Sequence, residues 1–446
     1  MADLDRQKID SLHEAELARF IAERPRSAER LERARRSMPS GVPMPWMSGL
    51  YAHPPLYVRE GKGAYFTDID GHRYLDMNHA DMSMSCGFAP QPVVDAVSDQ
   101  VARGSQFLLP TEVSIEVSEL LADRFELPFW QYTLSATSAN TEAIRIARAA
   151  TGRRGVLTFD GGYHGLLDDT MDAIRENEFP PGRWPNSVMV QYNDLEAVER
   201  VLRERTTACV MVEPAVTNIN LVKPDSGFHK SLRDLARTYG ALLVIDETHT
   251  HVCAWGGLTR AWGLEPDLLV MGKSIAGGIP LGVYGMTKSL ARVCEENNER
   301  DEWPTGGSTS LLLGGTLHGN PLGLVGARAV LREILTPEAH ARTAELGGRL
   351  ADGIERIAKD AALPWSAHRL YCRTGVCYAE QAPRNALEAS RAADFGLNCL
   401  HRVYLANRGI WEAIVTAGPA VSFAAERSDI DRYLEVFEQL VEAITD

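Results

Sequence analysis

The sequence predicts an α/β protein whose centre is a mostly parallel sheet covered by helices. Four short apolar runs, separated by helical patterns, support this fold. They are 155–159, 208–212, 241–245 and 268–271, and runs of this kind are typical of strands buried on both faces. The last three are followed by Glu213, by Asp246 and Glu247, and by Gly272 and Lys273. Because ligands bind at the carboxyl ends of strands in open α/β sheets, we expect these charged side chains to share one site.

The two ends of the chain are predicted to form a smaller α+β domain. A charged helical pattern from Asp5 to about Met38 indicates an N-terminal helical arm. Short alternating segments between Pro54 and Asn78 predict a small antiparallel sheet. The chain is therefore divided into three parts: an N-terminal arm and small sheet at 1–78, a large central domain at 79–322, and a C-terminal part of the small domain at 323–446.

The composition favours a small-molecule substrate over a macromolecular partner. The 446 residues carry a net charge of −14 without a basic block, which argues against nucleic acid and anionic membranes. Apolar runs stay short of the roughly 18 residues of a spanning helix, and the charged N-terminus does not resemble a signal peptide, so we expect a cytoplasmic protein. The seven cysteines are scattered, which predicts free thiols rather than disulfides or a zinc site.

Lys273 and Asp246 carry the most specific chemistry in the sequence. A lysine that follows a short apolar strand would be partly desolvated, which favours the neutral amine that forms an imine with an aldehyde. A carboxylate at Asp246 could keep a pyridine nitrogen protonated, and the ring then stabilises a carbanion. Taken alone, the lysine could lie on the surface, and the aspartate could be a metal ligand or a helix cap. Their positions at the ends of two successive strands favour a pyridine cofactor.

A candidate phosphate site precedes the helical pattern at 142–150. Ser135, Ala136 and Thr137 open the turn between the strand-like segment 132–134 and this helix. Small residues and hydroxyls at a helix N-terminus leave backbone N–H groups free, and the helix dipole stabilises an anion there. The same residues could also serve as a plain helix cap.

These motifs resemble the class III, fold type I pyridoxal-phosphate-dependent aminotransferases, in particular the branch that contains glutamate-1-semialdehyde aminomutase. The resemblance runs from about Gly41 to Tyr433 and is strongest in GKSIAGGIPLGVYG, residues 272–285. It implies that Lys273 holds pyridoxal 5′-phosphate as a Schiff base. The motif GTLHGNP, residues 315–321, implies that Thr316 contacts the cofactor phosphate of a neighbouring subunit. A homodimer with shared active sites follows from this implication.

The resemblance assigns cofactor contacts to seven further positions. They are the phosphate-binding turn, Ser135, Ala136 and Thr137; the aromatic residue that stacks on the ring, Tyr163; a residue near the phenolic oxygen, Asn218; the partner of the pyridine nitrogen, Asp246; and Thr248, which stands where the family usually has a valine against the ring. Together they imply a complete cofactor site.

The substrate pocket departs from the family pattern. Where the aminomutase branch has an arginine that binds a substrate carboxylate, this chain has Trp46 and Met47, and no arginine stands at the C-terminal position around Thr416 either. A pocket lined by Trp46 and Met47 should prefer an apolar group, because an unpaired buried carboxylate is costly. His249 is expected at the pocket mouth; with His251 it could also bind a metal, but a third ligand is not evident.

These arguments predict an aminotransferase that uses Lys273 and Asp246 as catalytic residues. Lys273 would anchor the cofactor and move the proton, while an amine or an ω- or β-amino acid would donate its amino group to a carbonyl acceptor. The alternative is a glutamate-1-semialdehyde-type aminomutase, which would use the same residues but retain its intermediate. A catalytically silent cofactor-binding protein is a third possibility, but loss of the lysine would be its signature.

Overall fold

The computed structural model describes residues 4–49, 53–171, 187–299, 311–412 and 419–445. The helices are α1 Arg6–Ala22, α2 Pro25–Ala34, α3 Trp46–Gly49, α4 Gln91–Arg103, α5 Glu112–Phe125, α6 Ala136–Thr151, α7 Leu195–Leu202, α8 Phe228–Tyr239, α9 Gly257–Ala261, α10 Lys288–Glu299, α11 Pro321–Ala329, α12 Pro337–Asp360, α13 Ala386–Ala392, α14 Phe395–Ala406 and α15 Arg427–Thr445. The strands are β1 Val58–Lys62, β2 Tyr65–Asp68, β3 Arg73–Asp76, β4 Phe129–Thr133, β5 Gly155–Phe159, β6 Ser187–Val190, β7 Thr207–Val212, β8 Leu242–Asp246, β9 Leu268–Met271, β10 Gly282–Met286, β11 Ser366–Leu370, β12 Arg373–Cys377 and β13 Ile410–Trp411.

The centre of the molecule is a seven-stranded sheet with the order β4-β10-β9-β8-β7-β5-β6. Strand β10 is antiparallel to β4 and to β9, while the pairs from β9 through β6 are parallel. Every residue of β7, β9 and β10 is buried, as expected for strands with helices on both faces. The predicted mostly parallel sheet is confirmed.

Helices cover both faces of this sheet. On one face, Ala143 and Ile146 of α6 pack in a cluster with Val244 of β8 and Val270 of β9. On the other face, residues of α5, α8 and α11 share a cluster with Leu243 of β8. Because alternate residues of one strand point to opposite faces, Leu243 and Val244 belong to different layers. The sheet is therefore packed between two layers of helices.

A second sheet joins the two ends of the chain. Strands β1, β2 and β3 are antiparallel, as the sequence predicts, and β13 adds to β3 in parallel. Beneath it, Phe20 of α1 packs in an aromatic cluster with Val403 of α14 and Trp411 of β13. The hairpin β11–β12 packs on α12 with α15 in a further apolar cluster. In the described ranges, none of the helices is both long and apolar enough to cross a membrane.

Candidate active site

The predicted site residues follow strands that end at the same edge of the large sheet. Because β4, β5, β7, β8 and β9 run in one direction, their carboxyl ends lie together. Asp246 is the last residue of β8, and Lys273 follows β9 after a single glycine. Ser135 and Tyr163 lie shortly after β4 and β5. The parallel topology thus places chemically distinct groups around one crevice.

Asp246 is a buried carboxylate held ionised by hydrogen bonds. His164 Nδ1 donates to its Oδ2 at 3.0 Å and Asn140 Nδ2 donates to the same oxygen at 2.8 Å, while the backbone N–H of Thr248 donates to Oδ1 at 3.0 Å. Burial alone would raise the pKa of Asp246, but the bonds and charge of His164, with those of Thr248 and Asn140, bring this pKa below its ordinary value. The site therefore contains a fixed negative charge at its base.

Lys273 lies in a strained backbone conformation at the end of β9. Its φ of 51° is in the left-handed region, which costs a non-glycine residue energy and is common at functional sites. The ammonium group Nζ donates to the backbone oxygen of Asp81 at 2.9 Å and to its carboxylate at 2.5 Å. The lysine side chain is thus directed into the crevice, towards a residue that the sequence analysis did not single out.

The first turn of α6 forms the candidate phosphate site. The hydroxyl of Ser135 accepts a hydrogen bond from Ser138 N at 3.2 Å, so Ser135 caps the helix. Two glycines approach this turn closely. A Cβ added at Gly165 would lie 2.2 Å from Thr137 Oγ1, and one at Gly272 would lie 2.9 Å from Ala136 N. The capping alternative and the phosphate site are therefore compatible, because Ser135 caps the helix while Ala136 and Thr137 begin it.

Three further residues of the predicted site, Tyr163, Asn218 and Thr248, fit a polar aromatic cofactor. Tyr163 is half-buried; burial, together with the charges of Asp81 and Asp246, raises its pKa. Among the described residues, Asn218 Nδ2 and Thr248 Oγ1 are buried polar atoms without a hydrogen-bond partner. Unpaired buried polar atoms are rare in proteins and call for a partner. Both positions match cofactor contacts implied by the resemblance, so the site suits pyridoxal 5′-phosphate.

His249 and Arg373 form a second buried polar group beside the lysine. Arg373 Nη1 lies 3.1 Å from His249 Nδ1, and Nη2 donates to the backbone oxygen of Thr217 at 3.4 Å. Burial, followed by the positive charges of Lys273 and Arg373, brings the pKa of His249 well below its ordinary value. The imidazole is thus neutral, and its Nδ1 accepts from the guanidinium.

Arg373 also faces the turn that contains Asp81. Burial lowers the pKa of His79 to about 3, and the charge of Arg373 contributes to this shift. The charge of Arg373 thus acts on His249, which follows β8, and on His79, in the turn that precedes α4. The sequence analysis missed this arginine because it opens a short strand of the C-terminal segment, about 100 residues after Lys273. The sequence signal for this residue is weak: a single arginine at the start of the short run RTGVC, residues 373–377.

Trp46 and Met47, which the sequence predicts in the substrate pocket, lie on a short helix at the surface of the chain. Trp46 is 49% exposed, and the short helix α3 that contains it and Met47 has no buried residue among those described. Thr416 lies outside the described residues. The absence of an arginine at these positions therefore does not decide whether the site binds a carboxylate.

Thr316 lies on the surface of the chain. Its side chain is exposed, and its backbone oxygen accepts from Gln106 Nε2 at 2.6 Å. Exposed apolar side chains lie next to both residues in the sequence: Phe107 and Leu108 follow Gln106, and Leu317 follows Thr316. Such a surface is typical of a protein contact.

Comparisons with known proteins agree on a family. The family model described as aminotransferase class-III matches residues 47–393. A glutamate-1-semialdehyde 2,1-aminomutase of Chloroflexus aggregans is 32% identical, over 86% of this chain and 90% of the relative. One of Bacillus subtilis is 30% identical, over 94% and 98%. The crystal structure of a glutamate-1-semialdehyde aminomutase from Pseudomonas aeruginosa PAO1 covers 99% of both chains with a TM-score of 0.94 and 35% identity, and a variant of it was solved in complex with PMP.

The comparisons correct the functional expectation. The prediction of an aminotransferase that takes an amine or a non-α amino acid was wrong, because the relatives at 30 to 35% identity with high coverage carry the aminomutase name. The error has a physical origin. It rested on missing arginines near Trp46 and Thr416, whereas the structure brings a different arginine, Arg373, to His249.

Proposed function

Because the chain belongs to the class-III aminotransferase family and depends on pyridoxal phosphate, we propose that it is a glutamate-1-semialdehyde 2,1-aminomutase. Such an enzyme moves an amino group between neighbouring carbons of one substrate, with no net gain or loss of atoms. The relatives named above support the reaction. The observation that carries the proposal is the buried guanidinium of Arg373 beside His249, because this substrate keeps a carboxylate throughout the reaction.

The chain offers a contact for each part of the cofactor. The N-terminus of α6, with Ala136 and Thr137, would bind the phosphate. Asp246 would pair with the pyridine nitrogen, and Tyr163 would lie against the ring. Asn218 and Thr248, whose buried polar atoms lack protein partners among the described residues, would meet polar atoms of the ring or its substituents. Bound there, pyridoxal phosphate supplies an aldehyde that bonds amines and a ring that stabilises the resulting carbanion.

Lys273 has two tasks in this proposal. It anchors the cofactor, and it moves a proton between the substrate carbons and the cofactor, since its amine is set free when a substrate amine replaces it. Asp246 ends β8 and Lys273 follows β9 after one glycine, so the two groups stand at the ends of adjacent strands. Both tasks need this fixed geometry, because proton transfer requires contact distance.

Arg373 and His249 would bind the substrate carboxylate. A guanidinium binds a carboxylate through two charge-assisted hydrogen bonds. The neutral imidazole adds a donor: with Nδ1 accepting from Arg373, the proton is on Nε2, a buried atom for which the described residues provide no partner. Together they would hold the distal end of the substrate while its amino and aldehyde carbons meet Lys273.

We further propose a homodimer in which Thr316 of one subunit contacts the phosphate in the other. The exposure of Thr316 and of the apolar residues Phe107, Leu108 and Leu317 supports a contact surface there. Light scattering of the purified protein tests the dimer.

The reaction has its own test. The purified protein is given glutamate-1-semialdehyde as the sole substrate, and the isomer with exchanged amino and carbonyl positions is measured. The proposal expects this isomer to accumulate. It fails if the protein turns over only when a separate amine and a separate carbonyl compound are both supplied.

A further inference from the structure

Asp81 is the residue that meets Lys273 in the crevice. Its backbone oxygen and its carboxylate both accept from Nζ, at 2.9 and 2.5 Å. The side chain of Asp81 is 28% exposed and that of Lys273 is 16% exposed, so the contact lies in a partly enclosed place. Any group that replaces the lysine amine at the cofactor has to enter this same place.

The backbone that positions Asp81 beside Lys273 is in an unfavourable conformation. Four consecutive residues, His79 to Met82, have φ between 48° and 66°, a left-handed turn that is unfavourable for non-glycine residues. Buried Asp76 stabilises the turn. Its Oδ1 accepts from Asn78 N and His79 N, both at 2.8 Å, and its Oδ2 accepts from Ala80 N at 3.1 Å. Strain maintained by such a set of bonds is typical of functional positions.

Asp81 also supplies negative charge to the part of the site where Lys273 acts. Its carboxylate and that of Asp246 both contribute to the raised pKa of Tyr163, so Tyr163 lies within reach of both charges. Arg373 contributes to the shifts of His249 and of His79, on the same turn as Asp81. The crevice therefore presents a carboxylate next to the lysine amine and a guanidinium near the same turn. This pattern is complementary to a substrate with an ammonium and a carboxylate.

We propose that Asp81 binds the free ammonium group of the half-converted substrate, an inference that rests on the proposed function. For a nitrogen to move between neighbouring carbons, the aldehyde carbon has to gain a nitrogen and two electrons and lose its oxygen as water, and the neighbouring carbon has to lose its nitrogen and two electrons and take an oxygen from water. The bound cofactor would supply the first nitrogen and electron pair and would take up the second. Between these halves the substrate skeleton is a vicinal diamine. While one nitrogen would take the place of the Lys273 amine at the cofactor, the other would be a cation beside Asp81.

This assignment gives Asp81 a role in retention. An aminotransferase releases its product between half-reactions, whereas an aminomutase has to keep the diamine until the second nitrogen reacts. A carboxylate next to the reacting carbon holds the diamine by a charge-assisted hydrogen bond. Asp81 is therefore a residue that favours isomerisation over release.

The test compares two amines by equilibrium titration of the pyridoxal-phosphate-loaded protein. One is 4,5-diaminopentanoate, the diamine of the substrate skeleton, and the other is 5-aminopentanoate, which lacks the second nitrogen. The readout is the amine concentration that half-bleaches the visible band of the bound cofactor. The variants are Asp81→Asn and, as a matched control at an exposed carboxylate on α4, Asp99→Asn. Asparagine keeps the size of the side chain and tolerates the left-handed φ, so mainly the charge is lost.

In the unaltered protein and in Asp99→Asn, we expect the diamine to half-bleach the visible band at about tenfold lower concentration than the monoamine. A factor of this size corresponds to one hydrogen bond to a charged group. In Asp81→Asn the ratio should approach one, and more diamine should be released per turnover. An unchanged ratio in Asp81→Asn overturns the proposal. Asp81→Ser serves the same comparison if Asp81→Asn takes up no cofactor.

The outcomes separate this inference from the proposed function. If the protein isomerises glutamate-1-semialdehyde and Asp81→Asn has the same diamine preference, the proposed function stands and the ammonium site is refuted. If the protein prefers the diamine, Asp81→Asn loses this preference and the substrate is not isomerised, the ammonium site stands and the proposed function is refuted.

Discussion

Arg373 Nη1 lies 3.1 Å from His249 Nδ1, and this bond connects the hairpin β11–β12 to the segment that follows β8 of the large sheet. Burial and two neighbouring positive charges keep the imidazole neutral, so it accepts from the guanidinium through one nitrogen and offers a proton on the other. The bond therefore fixes a guanidinium and an imidazole donor near Lys273. The substrate preference that we propose depends on this pair.

Replacing Arg373 should reduce the use of a substrate with a carboxylate. In Arg373→Met we expect kcat/KM for glutamate-1-semialdehyde to fall about 30- to 100-fold, because a hydrogen-bonded charge is lost from a buried position. Steady-state kinetics measure the change. Arg369→Met is the matched control, since this arginine lies on the neighbouring strand and pairs with Glu355 and Asp352 at a more exposed position. Equal losses in both variants would contradict the assignment.

Removing a hydrogen bond to Asp246 should change the dependence of stability on pH. Because the pKa of Asp246 in the folded protein is below its ordinary value, ionised Asp246 stabilises the fold at pH above that ordinary value. This contribution is lost as the pH falls through the folded-state pKa. Asn140→Ala removes a donor at 2.8 Å and should raise this pKa, so the loss begins at higher pH.

Denaturant unfolding of the cofactor-free protein between about pH 2 and pH 5 measures this shift. Asn297→Ala provides a comparison, because that amide bonds Val293 in its own helix. If Asn140→Ala and the unaltered protein lose stability over the same pH range, Asn140 does not hold Asp246 ionised.

A methyl group at Gly272 should weaken cofactor binding. Its Cβ would lie 2.9 Å from Ala136 N, a backbone atom of the phosphate turn, so the turn has to shift. We expect Gly272→Ala to raise the dissociation constant for pyridoxal phosphate at least about tenfold, since each lost phosphate contact involves a charged group. Equilibrium dialysis measures it. Gly348→Ala has open space around the new methyl and should bind the cofactor normally; a similar weakening there would show a general effect on folding.

A charge at the surface next to Thr316 should disrupt the dimer. Leu317 is 51% exposed in the single subunit, and Leu317→Glu would bury a carboxylate if this surface forms the contact. We expect sedimentation to show monomers and cofactor affinity to fall with the loss of the partner's Thr316. Leu387, on α13, is 57% exposed, and Leu387→Glu should remain dimeric. Dimeric Leu317→Glu with full cofactor affinity would place the contact elsewhere.

The sequence predicts the large sheet because its strands are continuous apolar runs with a helix on either side. It also predicts that Asp246 and Lys273 lie at the same edge of the sheet, since both stand at the carboxyl ends of parallel strands. Strand β10, antiparallel to its neighbours, carries no local signal of its direction, because direction depends on the connection rather than on composition. The family resemblance supplied the fold type and the cofactor, both of which are confirmed.

Arg373 and Asp81 could not be assigned from the sequence. Their significance depends on contacts between segments far apart along the chain: Arg373 meets His249 across 124 residues and Asp81 meets Lys273 across 192. Neither lies in a motif of the cofactor site. Pocket specificity is therefore the part of the function for which local patterns were least informative, and the wrong prediction of the donor class arose there.

The stoichiometry of a single-substrate reaction tests the central claim most directly. The loaded protein is mixed with a large excess of glutamate-1-semialdehyde, without any other amine or carbonyl compound, and the isomeric product is counted per active site, with Lys273→Ala alongside. An aminomutase returns to its starting state, so we expect many equivalents of product per site and none with Lys273→Ala. A yield that stops at one equivalent or less, and resumes only when a second substrate is added, would contradict the account.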